Sequence, residues 1–194
     1  MIRIATPGDA PAMLEIYQPF ILHSGITQEV LVPGKEEFTT RVTKGLPHFP
    51  WLVEDTNGKI TGYAYASRYR EREGYKWCVE TSIYLAPASR GKGVANRLYL
   101  TLLHLLRVMG YVNAYAVITL PNPPSIRFHE KIGFRHFATY DKVGFKLDVW
   151  HDVAWMQIKL QEHPYQPQSP LAFGDLDQTV VQSILNEHRA SPFL

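Results

Sequence analysis

A strand, a turn and a helix follow one another in Thr81-Ser82-Ile83-Tyr84-Leu85-Ala86-Pro87-Ala88-Ser89-Arg90-Gly91-Lys92-Gly93-Val94-Ala95. Residues 96–109 then continue with apolar side chains at helical spacing. Such a junction leaves backbone N–H groups unpaired at the start of the helix, where the positive end of the helix dipole can hold a diphosphate. Arg90 and Lys92 add positive charge, so this turn is a candidate anion site.

Two common phosphate-binding motifs do not fit the turn. A Walker-type loop needs glycine at position 86 and Ser or Thr after Lys92, but the chain has Ala86 and Gly93. The three glycines of a Rossmann fingerprint do not match the spacing of residues 90–95. Nucleotide hydrolysis and dinucleotide binding are therefore disfavoured, and an ordinary solvated helix start remains the alternative.

The pattern that fits is Arg-x-x-Gly-x-Ala, which resembles the pyrophosphate turn of the GNAT family of N-acetyltransferases. The resemblance implies that acetyl-CoA is the cosubstrate and that one short segment holds its diphosphate. That segment is Arg90, Gly91, Lys92, Gly93, Val94 and Ala95.

Length and composition favour one domain. The chain has 194 residues, 45% of them hydrophobic, which is enough for one substantial core or for a domain with an appendage. We expect an N-acetyltransferase domain over residues 1–160, followed by a proline-rich connector and an amphipathic helix over 161–194. The formal net charge is only +2, so electrostatics gives no reason to propose a nucleic-acid partner.

The cysteine content and the apolar runs bound the location. A single cysteine, Cys78, excludes an internal disulfide framework and cannot form a zinc site by itself. We expect no bound metal, and His163 and His188 have no partners at metal-ligand spacing in the sequence. No apolar run approaches the length of a membrane span, and the first residues lack the apolar core of a signal peptide. We therefore expect a cytoplasmic protein with no membrane partner.

Periodicity and turn signals predict a strand, two helices, three strands, a helix, a strand, a helix and two closing strands. The predicted strands cover residues 2–5, 50–55, 59–67, 75–85, 112–119, 135–143 and 149–160. The predicted helices cover residues 9–22, 35–45, 94–109 and 124–132, with a further helix in the tail behind Asp175 or Asp177.

Four further blocks narrow the resemblance to a subfamily. They are residues 50–53 with 62–66, 75–84, 122–134 and 143–157. Together they are similar to the phosphinothricin N-acetyltransferases and their relatives that acetylate methionine sulfone or sulfoximine. The similarity spans roughly residues 1–160. It implies an α/β (α+β) acetyltransferase fold, with a mixed, mostly antiparallel sheet flanked by helices, whose fourth and fifth strands diverge to admit the pantetheine arm.

Acetyl transfer to an amine needs a base, because only the neutral amine attacks a thioester and an α-amine with a pKa near 8 is only about one tenth neutral at pH 7. By its match to the strand-four glutamate of the family, Glu80 is the candidate base, directly or through water. Its aromatic neighbours can desolvate it and raise its pKa. The alternative for Glu80 is a solvated strand glutamate.

The resemblance also places His129 near the reacting centre, where it can orient substrate, relay a proton or protonate the leaving thiolate. A packed helix histidine is the alternative. Main-chain N–H groups of Ile83, Tyr84 and Leu85 are expected to bind the thioester carbonyl. Asn122 and Ser125 are expected to contact the pantetheine arm, and helix capping is compatible with that role.

Acceptor recognition is assigned to Arg70, Arg72 and Tyr75, because a guanidinium can bind a carboxylate, phosphinate or sulfone bidentately. For Arg70 a solvated hairpin end is an equal alternative. Gln28 occupies the place where the resembling enzymes carry a substrate-facing phenylalanine, which leaves the identity of the acceptor open. The expected acceptor is a small amino-acid-like amine, and we expect a homodimer. A coenzyme-A-binding scaffold that has lost catalysis is the competing hypothesis.

Overall fold

The computed structural model describes residues 1–188. Its strands are β1 (Ile2–Ile4), β2 (Trp51–Thr56), β3 (Lys59–Arg68), β4 (Cys78–Leu85), β5 (Asn113–Thr119), β6 (Arg135–Lys146) and β7 (Val149–Lys159). Its helices are α1 (Ala10–His23), α2 (Lys35–Gly45), α3 (Val94–Val108), α4 (Pro123–Lys131) and α5 (Gln178–Glu187). The predicted fold class is confirmed. The last positions of the predicted tail, 189–194, lie outside the described residues.

The seven strands form one sheet in the order β1-β2-β3-β4-β5-β7-β6. Every neighbouring pair is antiparallel except β4 and β5, which are parallel and joined by the crossover helix α3. The β4–β5 ladder contains only the pairs Cys78↔Asn113, Val79↔Ala114 and Glu80↔Tyr115. Beyond Glu80 and Tyr115 the two strands separate, as the resemblance implied.

Side chains of the sheet alternate between two hydrophobic cores. One core lies under α3, whose buried positions recur at helical spacing from Leu98 through Leu102 to Leu105 and Leu106. The other lies under α1 and α2, with Met13, Phe38, Val42 and Tyr63 among its members. Because successive strand residues point to opposite faces, neighbouring residues of β4 serve different cores.

The predicted start of the fourth strand at Tyr75 is wrong. Residues Glu73–Tyr75 form a 3₁₀ turn, in which Tyr75 N–H donates to Arg72 O at 3.0 Å and Lys76 N–H donates to Glu73 O at 3.1 Å. These local hydrogen bonds occupy the backbone groups that a ladder would use, so β4 begins only at Cys78.

The tail packs onto its own chain. Phe173, Leu176, Val181, Ile184 and Leu185 belong to the same core as α3. Backbone hydrogen bonds hold the connector, with Leu171 N–H donating to Met109 O at 2.8 Å and Phe173 N–H donating to His48 O at 3.2 Å. Asp177 caps α5 by accepting from Thr179 N–H at 2.7 Å. The tail helix α5 is therefore docked on the domain of its own chain.

None of the helices in the described part of the chain has the length and apolar character that crossing a bilayer requires.

Candidate active site

A narrow cleft opens where β4 and β5 separate. Its cavity has a volume of about 60 Å³ and reaches α4 and the connection between α1 and α2. The lining residues are Ile26, Thr81, Ser82, Ile83, Tyr84, Ala116, Val117, Ile118, Asn122, Ser125 and His129. Several predicted site residues, Ile83 and Tyr84 on β4 and Asn122, Ser125 and His129 at α4, therefore meet at one place although they come from two separate segments of the chain.

Main-chain amides on one edge of β4 face this cleft. Ala86 N–H donates to Thr61 O on the β3 side at 3.0 Å. N–H groups alternate in direction along a strand, so the amides of Ile83 and Leu85 point toward β5. By the same alternation the amide of Tyr84 points toward β3, which corrects the prediction for that amide. Ile83 and Leu85 are left as donors for a carbonyl oxygen.

The glycine-spaced turn is built as a diphosphate cradle requires. Gly91 and Gly93 both have φ +72°, a conformation that L side chains rarely adopt. Gly93 is the N-cap of α3, and among residues 1–188 no side chain caps this helix. The first-turn N–H groups are thus available to an anion.

Around the cradle, the side chains differ in exposure. Arg90 and Lys92 are both exposed, and the guanidinium carbon of Arg90 lies 5.7 Å from the centre of the Phe20 ring. Val94 is buried and Ala95 is half-buried, so the first turn of α3 is anchored to the core behind the cradle.

Glu80 lies at the last pair of the β4–β5 ladder, on the sheet face of Tyr65 and Tyr84. Its side chain is 30% exposed, and its Oε1 accepts a hydrogen bond from Nη1 of Arg70 at 3.3 Å. Burial raises the pKa of the Glu80 carboxyl, and the charge and hydrogen bond of Arg70 oppose that rise. A carboxylate with a raised pKa at the mouth of the cleft is suited to accept a proton.

An aromatic cluster surrounds this carboxylate. The rings of Tyr69 and Tyr115 stack with centroids 4.5 Å apart. The Arg70 guanidinium lies 4.5 Å from the centre of the Tyr69 ring and 5.3 Å from that of Trp155. These contacts hold Arg70 beside Glu80, so the two side chains form one unit.

Replacing Arg70 with glutamine is expected to shift the acid limb of the kcat profile toward higher pH. Arg70 stabilises ionised Glu80, so its loss leaves the burial penalty unopposed and raises the pKa of Glu80 further. The base works only when deprotonated, so activity is lost first at low pH. Initial rates at saturating substrate from pH 5.5 to 9 measure the shift. An unchanged acid limb would show that Glu80 ionisation does not control turnover.

His129 lies on the other face of the sheet and is 4% exposed. Its Nδ1 is 2.8 Å from Ser125 O, and its Nε2 is 3.0 Å from the Tyr99 hydroxyl. Burial lowers the pKa of His129, so the imidazole is neutral near pH 7. It is a packed helix histidine that also lines the cleft, which combines the two interpretations made from the sequence.

The hydrogen bonds continue from His129 to the cleft wall. The Tyr99 hydroxyl is 2.6 Å from Thr81 Oγ1, and Thr81 Oγ1 is 3.0 Å from Tyr115 O. Sequence reasoning missed both Tyr99 and Thr81. Tyr99 falls in the apolar period of α3 and has the spacing of a core residue, and Thr81 is one of many strand residues.

Asn122 and Ser125 reach the cleft from the start of α4. Asn122 is the N-cap, and its Oδ1 accepts from Ser125 N–H at 3.3 Å. Both residues line the cavity, so helix capping and a position on the cleft wall occur together, and their contact with the pantetheine arm remains a prediction.

The predicted acceptor-binding residues are spread more widely. Tyr75 is 45% exposed and its ring lies 5.9 Å from that of Tyr69, which places it at the edge of the aromatic cluster. Arg72 lines a separate cavity of about 330 Å³ between the β3–β4 connection and residues 169–172 of the tail, together with Arg70. The structure therefore brings Arg70 to Glu80 and leaves Arg72 farther along the connection.

Gln28 braces the loop between α1 and α2. Its Nε2 donates to Gly25 O at 3.2 Å and to Thr119 Oγ1 at 3.1 Å. A Cβ added at Gly144 would lie 2.3 Å from Gln28 Oε1, so β6 approaches this side chain closely. Gln28 thus ties the loop to the ends of β5 and β6, and its role in acceptor choice remains a prediction.

Known proteins are similar to this chain in sequence and in fold. The family model described as "Acetyltransferase (GNAT) domain" matches residues 2–155. A phosphinothricin N-acetyltransferase of Streptomyces viridochromogenes is 33% identical over 80% of this chain and 85% of its own length. An L-methionine sulfoximine/L-methionine sulfone acetyltransferase of Salmonella typhimurium is 35% identical over 84% of this chain and 95% of its own length.

Solved structures extend the likeness to three dimensions. The GNAT superfamily phosphinothricin acetyltransferase from Sinorhizobium meliloti, solved with acetyl-CoA, is 34% identical with a TM-score of 0.84, over 91% of this chain and 97% of that one. The yncA structure from Salmonella typhimurium, also solved with acetyl-CoA, has a TM-score of 0.82 at 33% identity, over 86% of this chain and 96% of that one. With a divergent strand pair and a glycine-spaced turn of the kind that holds acetyl-CoA, this chain belongs to the GNAT acetyltransferases and is an acetyl-CoA-dependent N-acetyltransferase.

Proposed function

We propose that the chain acetylates the amine of a small amino acid or amino-acid analogue of the phosphinothricin, methionine sulfone or methionine sulfoximine type. The carrying observation is the position of Glu80 at the point where β4 and β5 part, beside Arg70 and the aromatic cluster. The names of the relatives from Streptomyces viridochromogenes and Salmonella typhimurium support the acceptor class.

When bound, acetyl-CoA supplies a thioester whose carbonyl carbon accepts the amine lone pair and whose sulfur leaves with the electrons of the C–S bond. Glu80 takes the proton that the attacking nitrogen loses, directly or through water. The amides of Ile83 and Leu85 donate to the carbonyl oxygen as negative charge develops on it. The N–H groups from Gly91 to Ala95, with Arg90 and Lys92, hold the diphosphate.

The hydrogen-bonded series of His129, Tyr99 and Thr81 supports the other wall of the cleft. It holds the Thr81 hydroxyl between the Tyr99 hydroxyl and Tyr115 O. We assign to this series the positioning of the cleft wall. The proton that Glu80 has taken passes through water to the leaving sulfur, which restores the carboxylate for the next acceptor.

A thiol-release assay tests the proposed function. Purified chain with acetyl-CoA is offered a panel of natural amino acids, methionine sulfone, methionine sulfoximine and phosphinothricin, and free thiol is followed with a chromogenic disulfide. We expect turnover with at least one member of the panel, and mass spectrometry should show a single added acetyl group on its amine. Acetyl-CoA binding without turnover on the whole panel would favour the scaffold hypothesis instead.

We also propose that the chain forms a homodimer through the apolar surface of the β6–β7 hairpin. Exposed apolar side chains lie on both faces of this hairpin. They are Phe137, Tyr140, Val143, Phe145, Leu147, Val149 and Trp150, which are 47–59% exposed. Large exposed apolar patches mark interaction surfaces, and β6 is at the edge of the sheet. A second copy of the same chain would cover both the patch and the strand edge.

Replacing Phe145 and Trp150 together with aspartate is expected to convert the dimer to a monomer, because the new charges would be buried without partners at the interface. Sedimentation equilibrium should give twice the chain mass of 22.2 kDa for the native protein and the single mass for the variant. Tyr165→Asp is the control, because Tyr165 is 98% exposed outside this hairpin. A native protein that sediments at the single mass at micromolar concentration would contradict the proposal.

A further inference from the structure

Three metal-ligand side chains meet where the tail helix crosses α3. Nδ1 of His104 lies 3.3 Å from Nε2 of His188 and 3.7 Å from Oε2 of Glu187. The three donor atoms all lie within 4.8 Å of one another. None of these three residues lines the cleft, so the cluster is separate from the candidate active site.

These distances match the edges of a small coordination polyhedron. Zinc ligands lie about 2.0–2.2 Å from the metal when they are nitrogen or carboxylate oxygen, so two ligands of a tetrahedral site are about 3.3–3.6 Å apart. The distances from His104 to His188 and to Glu187 are 3.3 and 3.7 Å. These side chains would therefore need to move little to bind one metal ion. Water can supply the fourth ligand, since His104 is 35% and Glu187 61% exposed.

The packing of α5 brings its end to His104. Val181, Ile184 and Leu185 are buried against the α3 core. His188 follows Ile184 by four residues and therefore lies on the same side of the helix, one turn farther. It terminates α5 with its N–H directed to Ile184 O, so its position is fixed by the same contacts that dock the helix.

The chemistry of the donors selects the class of cation. Two imidazoles and one carboxylate suit zinc, copper, nickel or cobalt, whereas magnesium and calcium prefer oxygen ligands alone. A hydrogen bond between the imidazoles of His104 and His188 would explain their 3.3 Å distance. It would not involve the carboxylate of Glu187, which lies 3.7 Å from His104.

We propose that His104, Glu187 and His188 bind one divalent transition-metal ion of the zinc class, which fastens the tail helix α5 to α3. The ion has a structural role, because the acetyl transfer proposed above uses none of these residues. Sequence reasoning predicted no bound metal and found no metal-ligand partner for His188. Its partner His104 is 84 positions away in the chain, and no local spacing connects them.

Zinc binding to the full chain, free of any histidine tag and treated with chelator, tests the proposal. Calorimetry with zinc chloride should show one ion per chain. At zinc concentrations about 100 times the dissociation constant, Tm should rise by about 5–10 °C. Amide exchange in α5 should slow when zinc is added. Absence of binding up to millimolar zinc would overturn the proposal.

Variants locate the ion. His104→Asn and His188→Asn should each weaken zinc binding by about tenfold or more, and Glu187→Gln should weaken it less because that side chain is the most exposed ligand. His23→Asn is the matched control, since His23 is an exposed helix histidine outside the cluster. The Tm of each variant is first compared with that of the native protein in the presence of chelator. Equal Tm values under this condition show that the variant retains the fold.

His188→Asn could loosen α5 even without a metal ion. His104→Asn changes a residue of α3 instead, so its effect on zinc affinity still tests the site. An unchanged zinc affinity in the protein that carries both His104→Asn and His188→Asn would place the ion elsewhere and overturn the assignment. An equal loss of affinity in the His23→Asn control would do the same. The kcat of the amine acetylation should be the same for all of these variants, so the outcome is independent of the proposed acceptor.

Discussion

Replacing Glu80 with glutamine is expected to lower kcat by about 10²- to 10⁴-fold, the usual contribution of a general base. Glutamine keeps the shape of the side chain but cannot take a proton from the attacking amine. The KM for acetyl-CoA should change little, because the groups assigned to its diphosphate lie at residues 90–95, beyond the end of β4. Steady-state kinetics with the best acceptor from the panel measures both parameters.

Glu71→Gln is the matched control for this experiment. Glu71 is a nearby carboxylate that is 89% exposed and paired with Arg68, so its loss removes a charge of the same sign without touching the cleft. Its kcat should stay within about twofold of the native value, as for most exposed ion pairs. A Glu80→Gln protein that matched the native rate from pH 6 to 9 would remove the base from the mechanism.

Replacing Tyr99 with phenylalanine should reduce both stability and turnover. The hydroxyl contacts His129 Nε2 at 3.0 Å and Thr81 Oγ1 at 2.6 Å inside the core. Deleting it leaves buried polar groups without a partner, which costs about 1–3 kcal/mol in the free energy of unfolding. We expect kcat to fall by about tenfold, because the Thr81 hydroxyl on the cleft wall loses a hydrogen-bond partner that holds it in place.

Tyr111→Phe is the comparison for the Tyr99 variant. Tyr111 is 7% exposed and packs in the same core, but within residues 1–188 its hydroxyl makes no hydrogen bond. Urea unfolding should therefore separate the two variants by at least about 1 kcal/mol. Equal stability and equal kcat for the two proteins would mean that the Tyr99 hydroxyl neither stabilises the fold nor positions the cleft wall.

The local pattern of the sequence was sufficient for most helices and strands. The apolar spacing from Leu98 to Leu106 and the Asn57-Gly58 turn depend on neighbours a few residues away, and both are found as predicted. The end of the fourth strand was predicted well, but its start was not. Hydrogen bonds local to Arg72–Lys76 compete there with the ladder, and strand propensity does not measure that competition.

Contacts between distant segments could not be predicted from the local sequence pattern. The insertion of β7 between β5 and β6 is a property of the whole sheet. The hydrogen bonds from His129 through Tyr99 to Thr81 join three elements, each of which gave an ordinary local signal. The role of Glu80 as base came from the family resemblance and remains a prediction, whereas its partner Arg70 was expected to bind the acceptor and not to pair with Glu80.

Consecutive residues of β4 serve two separate compartments. Glu80, Ser82 and Tyr84 project to the face of α1 and α2, and Thr81, Ile83 and Leu85 project to the face of α3. The sheet therefore acts as a partition, and the two sets of side chains meet at the cleft where β4 and β5 separate. Engineering on the side that carries Glu80 should leave the packing of α3 on the opposite side intact, whereas a substitution at the opening itself should affect both compartments.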